Sequence, residues 1–232
     1  MQQGTVEQAF HLVITGDRSL YVIVALSLEI SLSAMALAAL VGLPFGALLA
    51  LVPFPGRGLA VVLVNASMGL PPVVVGLVFY LLFSRSGPLG FLGILFSPPA
   101  MAVAQAALVF PIIAALSRQS IAELWAEYRD ELTALRVSPV RRVATLLWDA
   151  RFALVTALLA GFGRAAAEVG TVMVVGGNID GFTRTMTTAI ALETSKGDLP
   201  LALGLGAVLI ALVVAVNAAL WGVRAVAERI AG

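Results

Sequence analysis

Two oppositely charged side chains, Arg164 and Glu168, lie four positions apart inside a long apolar stretch. Residues at i and i+4 share one face of a helix and come within ion-pair reach. A charge inside a membrane span is costly, so such residues normally face a bundle interior or an aqueous path. The spacing therefore predicts either an element of a transport pathway or gate, or a structural ion pair that holds helices together.

A polar segment follows this pair and carries two further groups of candidate residues. Gly176, Gly177 and Asn178, at the end of the apolar stretch, join the pathway or gate candidates. The second group, which has hydroxyls and a guanidinium suited to an oxyanion, is Thr183, Arg184 and Thr185. These three could contact an anion or a binding protein on the outer face. A capped surface helix explains the threonines equally well.

Catalytic chemistry finds little support in the chain. It has no cysteine and one histidine, His11, which precedes the apolar runs, and no aspartate lies inside such a run. It also lacks the G-x-x-x-x-G-K-[ST] nucleotide loop. We therefore expect no catalytic residue, no metal site and no cofactor on this chain, and an intramembrane hydrolase fits poorly.

The elements that must position these residues are predominantly apolar. The chain is 60% hydrophobic and 12% charged, with a mean hydropathy of +1.03, which predicts an all-α integral membrane protein. Five runs are long enough to span a bilayer or nearly so: residues 20–51, 59–83, 100–116, 152–177 and 199–226. Residues 5–16 suit a short interfacial helix. We expect residues 1–232 to form a single transmembrane domain, with no internal repeat.

The one long polar interruption is residues 126–151. Within it Tyr128, Leu132 and Leu135 recur at spacings of three and four, which places them on one face of a helix. Ser138 and Pro139 then offer a hydroxyl cap and a proline at the first helical position. The pattern predicts two short helices that join at a turn and lie against the membrane.

Lysine and arginine residues predict the orientation of the spans. With the N-terminus outside and the C-terminus in the cytoplasm, nine of them fall on inner segments and four on outer segments. The interruption at 126–151 is then cytoplasmic. The net charge of +1 gives no reason to expect a nucleic-acid partner.

Two stretches resemble a known family. The permease subunits of ABC importers carry a cytoplasmic E-A-A-x-x-x-G pattern, which falls here on Asp130, Glu131 and Leu132, with Arg136 in the glycine place. The segment RAAAEVGTVMVVGGNIDGFTRTMTTAIALETSKGDL resembles molybdate and, more closely, tungstate importer permeases. With FPGRG and the Pro71-Pro72 pair upstream, the resemblance covers nearly the whole chain.

The resemblance implies the type I ABC importer permease fold and an oxyanion substrate, tungstate first, with molybdate, sulfate or phosphate as alternatives. It implies a homodimer in the plasma or inner membrane, an ATPase subunit that holds ATP and Mg²⁺, and an extracytoplasmic anion-binding protein. The residues expected to couple to the ATPase are Tyr128, Asp130, Glu131, Leu132, Leu135, Arg136, Ser138 and Pro139. A secondary transporter or channel is the remaining alternative, although the absence of an inverted repeat fits it poorly.

Overall fold

The structure is a computed structural model that describes residues 18–231, all helices and connecting loops, with no strand in that range. The predicted all-α membrane class is confirmed, and the interfacial helix expected at 5–16 lies outside the described residues. The α-helices are α1 (Arg18–Leu51), α2 (Arg57–Ser67), α3 (Pro72–Phe83), α4 (Pro98–Ala134), α5 (Pro139–Asp149), α6 (Arg151–Ala166), α7 (Gly170–Gly176), α8 (Met186–Lys196) and α9 (Leu199–Ala231).

Three stretches are long and apolar enough to cross a membrane on their own: Leu20–Leu51, Pro98–Ala134 and Leu199–Ala219. If each of two bent helix pairs also forms one span, the described part of the chain has up to five. The five predicted runs all coincide with helices. Three of the runs nevertheless differ from the prediction in where those helices end.

Helix α4 does not stop where the third apolar run stops. It has 37 residues, or about 55 Å of helix, against about 30 Å for the hydrocarbon core of a bilayer. Residues 117–134 contain no glycine or proline to end it. The first of the two short helices predicted in 126–151 is therefore the end of α4, which corrects that prediction. The second is α5.

The run at 59–83 is not one continuous helix. Helix α2 ends at Ser67 and α3 begins at Pro72, and their axes turn by 104°. Pro71 and Pro72 have no backbone N–H to continue the α2 hydrogen-bond ladder, which is why the chain breaks here. The run at 152–177 is also interrupted, since α6 ends at Ala166 and α7 starts at Gly170.

Small residues bring α1, α4 and α6 close together at the centre of the fold. A Cβ added at Gly46 of α1 would lie 2.5 Å from the Ala114 carbonyl oxygen of α4, and one at Gly161 of α6 would lie 2.8 Å from a Val109 methyl. Such close backbone approach is how membrane helices gain packing contacts without a hydrophobic driving force. The resulting three-helix core holds the Arg164 end of α6 in place.

Candidate functional site

The charged pair predicted from its spacing is present. Arg164 Nη1 lies 2.6 Å from Glu168 Oε2, with the glutamate side chain 2% exposed and the arginine side chain 29% exposed. The two residues are not on one uninterrupted helix, because α6 ends at Ala166. Glu168 instead occupies the break between α6 and α7, and the ion pair bridges that break.

Glu168 also connects the break to neighbouring helices. Its Oε1 accepts a hydrogen bond of 3.0 Å from the Thr171 backbone N–H, one of the N–H groups left free at the start of α7. Its carbonyl oxygen accepts one of 2.7 Å from the Thr187 hydroxyl of α8. The Thr171 hydroxyl donates to the Pro72 carbonyl oxygen of α3 at 2.8 Å. Glu168 therefore connects α6 and α7 through its buried carboxylate and α8 through its backbone carbonyl, and Thr171 extends the connection to α3.

A small polar cavity lies beside this carboxylate. Gln105 of α4 donates through Nε2 to the Ala165 carbonyl oxygen at 3.1 Å, and its buried Oε1 has no hydrogen-bond partner among the described residues. The cavity leaves about 10 Å³ for the centres of water-sized atoms, which is room for about one water molecule. Its polar lining is Ser27, Ser31, Gln105, Glu168, Thr185 and Thr187.

The three candidate residues at 176–178 form a turn that packs closely on α4. Gly177 has φ 71° and Asn178 has φ 51°, the left-handed region that glycine and asparagine tolerate best. A Cβ at Gly176 would lie 2.6 Å from the Met101 sulfur atom. The Thr183 hydroxyl closes the turn, since it donates to the Gly176 carbonyl oxygen at 2.6 Å and accepts from the Ile179 N–H at 2.9 Å. These residues position α7 against α4.

The threonines expected on the outer face are buried. Thr183 and Thr185 are both buried, and Thr185 forms a capping box with Thr188 at the start of α8. The capped helix offered as an alternative reading of the sequence is therefore present. Arg184 is paired with Asp180 at 2.9 Å, while its buried Nε has no hydrogen-bond partner among the described residues. Of these three candidates, only the arginine is not buried.

The apolar face predicted within residues 126–151 is divided between two environments. Tyr128 and Leu132 are partly buried and pack on a core cluster of their own chain that includes Ile121 and Leu146. Leu135 is 74% exposed. The three predicted side chains share one face of α4, but Tyr128 and Leu132 pack on their own chain while Leu135 does not.

Other apolar side chains are exposed in the same region. Val140 is 80% exposed and Trp148 69% exposed on α5. With Ala144, which is also exposed, they recur every four residues and share one side of the helix. The apolar i, i+4, i+8 series from Val140 was a signal for this side of α5 that is visible in the sequence.

The turn between α4 and α5 uses an arginine in the conformation that suits glycine. Arg136 has φ 50°, and its N–H donates to the Thr133 carbonyl oxygen at 3.0 Å. The Val137 N–H donates to the Leu132 carbonyl oxygen at 3.1 Å, which completes the Schellman pattern of a helix end. Arg136 thus occupies the place of the motif glycine and adopts a left-handed conformation.

The remaining residues proposed for coupling are on the surface. Asp130 and Glu131 are exposed near the end of α4. Pro139 is at the first position of α5 as predicted, while the exposed Ser138 occupies the N-cap position without forming a side-chain capping hydrogen bond. The predicted hydroxyl cap is therefore not formed, and the proline alone marks the helix start.

Comparison with known proteins decides the family. The chain is 42% identical over 201 residues to a probable anion ABC transporter permease protein of Haloferax volcanii, which covers 84% of this chain and 87% of that one. It is 36% identical over 216 residues to the tungstate uptake system permease protein TupB of Peptoclostridium acidaminophilum, with 93% and 95% covered. A sulfate transport system permease protein CysW of Synechocystis is 29% identical over 210 residues, with 86% and 75% covered. No family model matches the chain.

This protein belongs to the anion ABC transporter permease family. The family membership confirms the resemblance drawn from the sequence and makes the chain a membrane-embedded transport subunit. The secondary transporter and channel alternatives are therefore set aside.

The sequence did not identify the hydrogen-bond partners of two polar residues in the site of this anion permease. Gln105 contacts a carbonyl 60 positions away, and Thr171 contacts one 99 positions away. A lone glutamine or threonine in an apolar run is compatible with many interhelical hydrogen bonds. Only the packing of α4 against α6 and of α7 against α3 identifies which bonds form.

Proposed function

We propose that this chain is the permease subunit of a tungstate importer. Two copies form the transmembrane part, each copy binds one ATPase subunit in the cytoplasm, and a separate binding protein delivers the anion outside. ATP and Mg²⁺ are held by the ATPase. The observation that carries the proposal is Arg164, a partly exposed guanidinium inside a membrane-embedded bundle, in a chain 36% identical to a tungstate permease over nearly its full length.

Arg164 is suited to bind a passing anion weakly and transiently. A guanidinium has five N–H donors, and Nη1 alone is committed to Glu168. The remaining donors can bind the oxygens of a tetrahedral anion as it passes. The carboxylate keeps the pair electrically neutral, which limits how tightly an anion is held. Conduction requires binding that is favourable enough to enter and weak enough to leave.

The surface that docks on the ATPase is the exposed side of α5 together with Leu135. Val140, Ala144 and Trp148 form an exposed apolar stripe, and the Arg151 guanidinium lies 5.1 Å from the centre of the Trp148 ring at one end of it. The opposite side of α5 is anchored by the buried Leu146, so a push on the stripe is transmitted to the core cluster beneath. An apolar helical face that enters a groove of a partner is a recurrent docking mode.

Helix α5, the proposed contact with the ATPase, is also held in place by Arg142, which stacks on an aromatic ring of α4. The Arg142 guanidinium lies 5.5 Å from the centre of the Trp125 ring on α4, and its Nε donates to the Val137 carbonyl oxygen at 2.8 Å. These contacts tie α5 to the end of α4. A rigid joint of this kind is what a transmission element between an ATPase and a membrane span requires.

The orientation follows the basic residues, with the N-terminus outside and the C-terminus and α5 in the cytoplasm. The segment at 178–196 then faces the binding protein, and Arg184 is its candidate contact for that protein or for the entering anion. The chain has no cysteine, so Ser86→Cys and Ser138→Cys can be labelled without background. We expect an impermeant thiol reagent to label Ser86→Cys from outside and Ser138→Cys only from inside. The opposite pattern would reject the orientation.

The substrate is tested by ATP hydrolysis in the assembled complex. We expect the tungstate-loaded binding protein to stimulate the complex, with molybdate weaker and sulfate without effect. Sulfate permeases among the relatives are more distant than the tungstate permeases, which favours this order. Equal stimulation by sulfate would show that the transporter accepts a broader range of anions than proposed. Stimulation by the free anions without binding protein would remove that partner from the proposal.

A further inference from the structure

An open groove between α1 and α4 is polar at one end and apolar at the other. Glu29 and Ser33 of α1 line its polar end together with Pro98 of α4, and Leu37 and Val103 line it farther along the two helices. The groove leaves about 450 Å³ for the centres of water-sized atoms. This volume lies within the range of about 300–1,000 Å³ that is usual for small-molecule sites.

The polar end of the groove lies at a membrane surface. Ile30 of α1 shares a core cluster with Met101 of α4, and Gly46 approaches the Ala114 carbonyl oxygen farther along, so the two helices run in the same direction. Residues 98–116 of α4 contain no charged side chain and give about 28 Å of helix. This length matches the hydrocarbon core of about 30 Å, which places the start of α4 at its boundary.

The two polar side chains at that end have no partner within the part of the chain that the structure describes. Glu29 and Ser33 are both exposed, and neither forms a hydrogen bond or an ion pair with a described residue. They are one helical turn apart and share one side of α1. A carboxylate on an apolar membrane helix is costly unless a cation or water meets it. Glu29 is therefore available to a group from outside this chain.

The groove favours a cationic group over an anion. Among the described residues that line it, Glu29 is the only charged one. Pro98 and Pro99 occupy the first two positions of α4, where backbone N–H groups would otherwise attract an anion, and proline has no N–H. The polar end thus offers a carboxylate acceptor and the Ser33 hydroxyl, which can also accept. An ammonium group with three N–H donors complements both.

We propose that this groove binds a phospholipid whose headgroup carries a primary ammonium, as in phosphatidylethanolamine. The ammonium donates hydrogen bonds to the Glu29 carboxylate and the Ser33 hydroxyl at the membrane surface. One acyl chain lies against Leu37 and Val103 in the hydrocarbon core. Because the Glu29 charge repels an oxyanion, this site is separate from the anion pathway. The inference uses the membrane location of the chain and does not depend on which anion is transported.

The test measures lipid binding to the detergent-purified transporter by native mass spectrometry. Phosphatidylethanolamine, phosphatidylcholine and phosphatidylglycerol with identical acyl chains are titrated separately. The choline headgroup keeps a positive charge but has no N–H donor, and the glycerol headgroup has no positive charge. We expect phosphatidylethanolamine to bind about tenfold more tightly than either, because only its headgroup forms a charge-assisted hydrogen bond with the carboxylate.

Two matched pairs of variants separate the headgroup contact from the groove itself. Glu29→Gln should lower the affinity for phosphatidylethanolamine to that for phosphatidylcholine, while Glu127→Gln, at an exposed carboxylate near the other end of α4, should not. Ala36→Phe places a large side chain in the groove at an exposed position and should weaken the binding of all three lipids. Leu40→Phe, at a position 73% exposed on the same helix, should leave binding unchanged.

Three results would overturn the proposal. The first is equal binding of phosphatidylethanolamine and phosphatidylcholine by the parent protein, or an unchanged preference in Glu29→Gln. The second is a similar effect of Ala36→Phe and Leu40→Phe, which would place the lipid elsewhere. The third uses Ser33→Cys in a chain that has no native cysteine. A disulfide between two copies after oxidation would show that a second copy, and not a lipid, covers the groove.

Discussion

Variants of Arg164 and Glu168 test whether this buried ion pair contributes to the stability of the permease. Glu168→Gln keeps an oxygen acceptor for the Thr171 N–H but removes the charge that balances Arg164. Arg164→Gln leaves the carboxylate, which is only 2% exposed, without a cation. The double variant with glutamine at both positions removes both charges and can keep an amide–amide hydrogen bond. We expect both single variants to be less stable than the double variant.

The magnitude follows from burial. Removal of one partner of a buried pair costs about 3–5 kcal/mol, because an unpaired charge remains in a low-dielectric site. For a chain of this length each kcal/mol lowers the melting temperature by about 2–4 °C, which predicts a fall of about 6 °C or more for Glu168→Gln. The exchanged pair Arg164→Glu/Glu168→Arg should recover only part of this loss. It restores opposite charges but takes the carboxylate from Thr171 and places a cation at the start of α7.

The assay is thermal unfolding of the detergent-purified permease, followed by the fraction that stays monodisperse on a sizing column. Gly163→Ala serves as a control, since a Cβ there meets nothing within 4 Å. If Glu168→Gln melts within about 1 °C of the parent, a difference below about 0.5 kcal/mol, the pair contributes nothing to stability. If the double variant melts below both single variants, the argument from an unpaired buried charge is wrong.

Three further predictions follow from the loops and the close packing. Arg136→Gly should stabilise the permease by about 1 kcal/mol, because glycine removes the cost of the left-handed conformation; an unchanged or lower melting temperature contradicts this. Gly46→Ala should lower the stability of the permease by about 1–3 kcal/mol, because the added methyl group overpacks against α4. Gly206→Ala, with open space at its Cβ, should not lower it. Similar melting temperatures of the two variants would refute the close packing of α1 on α4. Val140→Asp should abolish co-purification with the ATPase, while Thr145→Asp, about 140° around α5, should not; retained association of Val140→Asp would remove the stripe from the docking surface.

Local features of the fold were accessible from the sequence. The i, i+4 spacing of Arg164 and Glu168 is a property of neighbouring residues, so the pair could be predicted without knowing the packing. The apolar runs likewise located every helix pair or long helix that could cross the membrane. The periodicity of apolar residues did not show what each apolar helix face packs against. It marked Tyr128 and Leu132 as apolar but could not say that their own chain covers them.

The broken helices show a second limit of the sequence. The position of Pro71 and Pro72 in the middle of an apolar run is visible in the sequence. The 104° turn between α2 and α3 is not. That angle depends on α3 packing against α7, through contacts between residues about 100 positions apart such as Pro72 and Thr171. The sequence also read the threonines near Arg184 as exposed ligands or as a helix cap with equal weight. Burial of Thr183 and Thr185 resolved that choice.

The central claim is that this permease carries an oxyanion inward when a partner hydrolyses ATP. The most direct measurement is tungsten content, by mass spectrometry, inside proteoliposomes that hold the permease with its ATPase, after binding protein and tungstate are added outside. We predict accumulation that needs both internal ATP and the binding protein, and that excess external sulfate does not suppress. Equal tungsten entry without ATP, or none in a complex that hydrolyses ATP normally, would contradict the claim.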